Sequence, residues 1–98
     1  MRPDFKTFEI PASASAGTPT LVKDYRDGSV QIGGTFVATI QIEGRLDASA
    51  PWSPIGSPVT APGFVDLPHI VKEIRSNVTS FTSGSPEGFF GGFNARSV

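Results

Sequence analysis

The chain has 98 residues, a formal net charge of −1, 17% charged and 38% hydrophobic residues, 11 Gly, 9 Pro and no Cys. That length holds one domain, the absence of Cys excludes disulfides and thiolate metal sites, and the scattered Lys and Arg give no positive footprint for nucleic acid. No apolar run approaches the roughly 18 residues of a membrane helix, and the N-terminus MRPDFKTFEI lacks the apolar core of a secretory signal, so a protein made in a cytoplasm is expected.

Residues 1–19 begin with a short segment bearing Phe5, Phe8 and Ile10 and continue into PASASAGTPT, a run of small residues, Pro and Thr. That run has no bulky apolar residue and cannot pack a core of its own. It is expected to form an extended N-terminal arm, able to reach about 65–70 Å if fully stretched. The three apolar residues are its candidate anchors on a neighbouring subunit.

From residue 20 to 98 the pattern is that of a β-sandwich. Thr20 to Tyr25 precedes Asp27-Gly28, a hairpin dipeptide, and Ser29 to Ile32 follows it. Gly33-Gly34 gives a break or bulge. Thr35 to Glu43 then alternates without interruption, with Phe36, Ala38, Ile40 and Ile42 on one side. Side chains of a strand project to opposite faces with a period of two, so this segment has one face on a core.

Residues 44–51 form a loop, and Pro54 and Pro58 confine Trp52 to Val59 to an edge or irregular strand. Pro62-Gly63 marks a turn before Phe64 to Leu67. Val71 to Phe81 is a second long strand, with Ile74, Ser76, Val78 and Ser80 on one face. A helix fits HIVKEIRSNV on spacing, but the β-branched continuation argues against it. Helix is confined to at most one turn around Leu67 to Lys72. Ser83 to Pro86 makes the last turn, and Glu87 to Ala95 a final strand with Phe89, Gly91, Phe93 and Ala95 on one face and Phe90 opposite. About seven or eight antiparallel strands in a jelly-roll-like, all-β sandwich are expected.

Without the arm, the body falls below about 80 residues, where one apolar core seldom provides more than a few kcal/mol. Cysteine is absent and His69 is the one histidine, so subunit contacts remain as the source of further stability. Catalytic chemistry finds no support. His69 has no second His or Cys beside it and fits a turn role. Asp24, Asp27 and Gly28 do not follow the spacing of a calcium loop, and an Asp-Gly hairpin explains them. Asp47 fits a loop-capping carboxylate. No nucleophile elbow or acid–His–Ser set is present. The expectation is a non-enzyme with no cofactor, no metal and no catalytic residue.

The segment from Gly34 to Gly84 resembles a pattern found in small virion proteins of tailed bacteriophages. The residues that carry it are Thr35–Glu43, Leu46-Asp47, Trp52, Ile55-Gly56, Gly63, Ile74-Arg75, Val78-Thr79 and Thr82-Ser83-Gly84, about half of the chain. DASAPW replaces the usual polar loop, and Ser76 stands where an apolar residue often follows the Ile-Arg pair. The resemblance implies a jelly-roll-like head decoration or cement protein. Such a protein binds the major capsid protein on the outer surface of the phage head, as a homo-oligomer, often a trimer, and stabilises capsomer contacts. In that case Phe5, Phe8 and Ile10 are the capsid or subunit contacts, and neither nucleic acid nor membrane is a partner. Two alternatives stand beside it: a tail, neck or fibre component of the virion, and a carbohydrate-binding module. In the module, Trp52 stacks on sugar with Arg45 and Asp47 as hydrogen-bonding neighbours; otherwise Trp52 closes one edge of the core.

Overall fold

The computed structural model describes residues 2–67 and 71–94. Among these residues there are six strands and no helix: β1 (Arg2–Phe8), β2 (Thr20–Leu21), β3 (Tyr25–Arg45), β4 (Ser53–Pro54), β5 (Gly63–Asp66) and β6 (Glu73–Asn94). All pairings are antiparallel, in the order β1-β6-β3-β4, with β2 also on β6 and β5 also on β3.

The fold is a curled ribbon of two very long strands, β3 and β6. Strands of 21 and 22 residues would run roughly 70 Å if straight, at about 3.3 Å per residue. The longest extent of the molecule is 44 Å, so the ribbon must curl. It does so where Gly34 (φ +87°) and Gly84 (φ +103°) sit near each other on facing strands, with Gly84 opposite Phe36 and Gly34 opposite Pro86. A Cβ on Gly84 would collide with the Thr35 carbonyl oxygen. Only glycine allows both that backbone angle and that approach.

The concave side of this curled sheet holds the core. On β3 it is built by Val30, Ile32, Ala38, Ile40 and Ile42, as the alternation of Thr35–Glu43 requires. On β6 it is built by Ile74, Ser76, Val78 and Phe90. Two bulges re-phase β6 by leaving Thr82 and Thr79 without an opposite residue in the register. Val37 faces Ser83 while Ala38 faces Phe81, and Thr39 faces Ser80 while Ile40 faces Val78. Each extra residue flips the inward parity. Phe81 therefore turns to the core and Ser80 to solvent.

Several expectations are corrected by these pairings. Residues 2–8 are not an arm: β1 pairs along its whole length with β6, and Phe8 and Ile10 are buried in the same core as Ile40 and Ile74. The following segment is also fastened, because Gly17 N–H donates to Ser76 C=O and Val78 N–H to Ser15 C=O. Asp27-Gly28 is not a hairpin turn but a bulge inside β3, between the pairs Arg26–Phe93 and Ser29–Gly91. Ser83 to Pro86 is not a turn but the bend in the middle of β6. Phe90, expected opposite to the main face of its strand, is the inward residue; Tyr25 meets it edge-on, with ring centres 5.3 Å apart at 77°. His69, Pro68 and Ala95 lie outside the described residues.

Candidate functional site

The convex side of the β1–β6–β3–β5 quarter of the sheet is aromatic. Inward Phe8, Phe90, Val30 and Val65 fix the parity of these strands, so their alternate residues face out. The register then sets two rows across the four strands: Thr7, Phe89, Gln31 and Phe64 in one, Phe5, Gly91, Ser29 and Asp66 in the next. Phe5 is 80% exposed, Phe64 70%, Phe89 43% and Phe93 41%. Phe5, Phe64 and Phe89 border a shallow groove of about 460 Å³ that also takes in Gln31 and Ser29. Gly91 forms part of its lining. A Cβ there would come within 3.0 Å of Phe5 Cδ1, so the glycine lets the Phe5 ring lie against the sheet.

One face carrying four phenylalanines differs from the scattered single apolar residues of an ordinary surface. Of the three expected anchors only Phe5 is available to a partner, because Phe8 and Ile10 are committed to the core. Phe64, Phe89 and Phe93 were not among the expected contacts. The alternation of Glu87 to Ala95 already puts Phe89 and Phe93 on one face, but that this face is the outer one follows from the burial of Pro86, Gly88, Phe90 and Gly92, and no comparable signal marks Phe64.

The alternative ligand loop is brought together but is occupied by its own members. Glu43 faces Arg75 and Arg45 faces Glu73 directly across β3 and β6. Arg45 Nε donates to Glu73 Oε1 at 2.8 Å and Arg75 Nε to Glu43 Oε1 at 2.9 Å. Both guanidinium carbons stand close to the Trp52 ring, 4.2 Å from its centre for Arg45 and 4.5 Å for Arg75. Trp52 is half-buried under these cations rather than presented as an open stacking platform. Asp47 accepts the hydroxyl of Ser49 at 2.6 Å and its N–H at 2.9 Å. These bonds, with the nearby charges of Lys72 and Arg45, hold its carboxyl below the usual range. Asp47 thus caps its own loop.

Asp27 occupies the left-handed region at φ 54° in the β3 bulge, and Asp24 lies 3.9 Å from Lys23 Nζ. Among the described residues no three His, Cys, Asp or Glu side chains converge as a metal site.

No protein-family model matches the chain, and no curated protein matches it. Among solved structures it is similar to the SPBc2 prophage-derived protein YomS, with a TM-score of 0.72 over 94% of this chain and 95% of that chain, at 18% identity. The likeness extends over essentially the whole length of both chains and shows a shared all-β fold.

Proposed function

We propose that the protein is a non-enzymatic structural component of a tailed-bacteriophage virion, binding the major capsid protein on the outer head surface and reinforcing contacts between capsomers. The observation that carries this is the outward aromatic face of Phe5, Phe64, Phe89 and Phe93. Aromatic side chains kept in water across adjacent strands gain most when another protein surface covers them. The sequence pattern from Gly34 to Gly84 and the fold likeness to a prophage-derived protein support the viral setting. Reinforcement then comes from modest contacts repeated by shell symmetry, with no turnover and no cofactor. The internal engagement of Arg45, Asp47 and Trp52 leaves the sugar-binding alternative without a specific observation in its favour.

The test is particle composition and position. Mass spectrometry of purified virions detects the chain, and electron cryo-microscopy places it on the head with the Phe64 and Phe89 face against the shell. A Phe64→Ser/Phe89→Ser double variant folds but shows reduced occupancy. Density at the tail or neck replaces the decoration role with the other virion role, and absence from particles overturns both.

A further inference from the structure

The strand β1 lies at the end of the sheet order, and among the described residues its one strand partner is β6. A seven-residue edge with unpaired backbone groups is a template for another strand. Pro3 has no N–H to give and fits where its nitrogen faces away from β6. By the alternation of an antiparallel ladder, Phe5 and Thr7 then direct their N–H and C=O groups out from the free edge as well. Phe5 is both the midpoint of β1 and, at 80%, the most exposed large apolar residue of the described set.

The centre of this edge, Asp4-Phe5-Lys6 within RPDFKTF, is complementary to itself when reversed about Phe5. Antiparallel pairing of two copies about that residue sets Phe5 against Phe5 of the second copy on the convex face. On the other face it sets each Asp4 directly opposite the Lys6 of the second copy, twice by symmetry. Opposite charges facing each other across an antiparallel pair are favourable, and like charges there are not. Both side chains are half-buried. Lys6 Nζ donates to the Leu21 carbonyl at 3.1 Å and lies 5.0 Å from the Tyr25 ring centre, while Asp4 accepts the Tyr25 hydroxyl at 3.5 Å. An ammonium carries three donors, so Lys6 can keep Leu21 and also serve a facing carboxylate.

We propose that β1 is a homodimerisation edge: two copies of this chain pair antiparallel through Arg2–Phe8 about a two-fold axis at Phe5, joining their sheets and their aromatic faces. Such an isologous contact uses the same patch on both subunits and closes on itself. The inference does not depend on the virion assignment, because it concerns the isolated chain. Pro3 faces Thr7 of the second copy: its carbonyl accepts the Thr7 N–H but it has no N–H to return, so each end of the ladder carries one bond and loses it if Thr7 loses its donor.

Sedimentation velocity and light scattering on the full chain test this. The wild-type protein is expected at twice the monomer mass. Asp4→Lys and Lys6→Asp are each expected at half that mass, because each sets like charges against each other across the pair. An equimolar mixture of the two variants regains the dimer, since a lysine of one variant then faces an aspartate of the other at both contacts. A structural effect within one chain is not rescued by mixing. Thr7→Pro removes only an outward N–H and is expected to give a folded monomer, which keeps the test intact if the charge variants fold poorly. A monomeric wild type, a closed trimer, or a dimer indifferent to Thr7→Pro and to mixing overturns the proposal.

Discussion

The Ser76 hydroxyl, fully buried, donates to the Glu9 carbonyl at 2.7 Å and so ties the chain just beyond β1 to the opposite half of the ribbon. Among the described residues Ser76 is the buried polar side chain of the core, at a position where an apolar residue is expected to pack better. Its neighbour explains the choice: a Cβ on Gly17 would lie 2.7 Å from Ser76 Oγ, so little room is left for a larger side chain.

Two substitutions at Ser76 therefore destabilise by different causes. Ser76→Ala leaves the Glu9 carbonyl without its donor and is expected to lose about 1–2 kcal/mol. Ser76→Val adds volume against Gly17 and is expected to lose about 2–4 kcal/mol, the unpaired carbonyl and the overpacking together. Urea denaturation checks both, and a Val variant as stable as wild type would remove the tether argument.

The bend gives a sharper contrast between glycines. Gly84→Ala places a methyl on the Thr35 carbonyl and the Phe36 Cα, at a backbone angle an L-residue resists, and is expected to cost about 2–4 kcal/mol. Gly33→Ala, on the partner strand opposite Glu87, meets nothing within 4 Å and is expected to be neutral or to stabilise by up to about 1 kcal/mol. Thermal melts of the two variants separate a hinge glycine from a permissive one.

This contrast also shows where the sequence was readable. Thr35–Glu43 was legible because strict alternation survives in the structure: Phe36, Ala38, Ile40 and Ile42 all face the core. Asp27-Gly28 and Ser83–Pro86 carry turn residues but serve other ends. Gly28 makes room for Phe90, whose Cε1 would lie 2.9 Å from a Cβ there, and Gly84 lets a continuous strand bend. Local turn chemistry cannot distinguish a strand that ends from a strand that curls. The candidate site was legible only at Phe5. The outward setting of Phe89 and Phe93 depends on parity restored after two bulges, and those bulges are visible only in the pairing of β6 with β3.

Trp52 is expected to act as a structural clamp. Trp52→Ala removes the ring from beside two guanidinium groups and should lower stability by about 1–2 kcal/mol, measured by urea unfolding. Trp52→Phe should retain most of it. Titration of the wild type with a glycan panel should leave Trp52 emission unchanged, whereas a saturable quench by one sugar class would restore the carbohydrate reading.

The last expectation concerns acid. The Glu9 carboxylate accepts the Thr18 backbone N–H and is further held by the Thr18 side chain, which lowers its pKa below the usual 4.5. A group whose folded pKa is depressed stabilises the fold above its unfolded pKa and loses that contribution as pH falls through the folded value. The melting temperature of Glu9→Gln should thus lie below that of the wild type at pH 7, by a gap that stays constant down to about pH 5. Below 4.5 the gap should close, because the wild-type carboxyl takes up the proton that weakens its hold on Thr18. A gap that is independent of pH would mean that Glu9 acts through packing alone, and a gap that widens in acid would reverse the assigned sign.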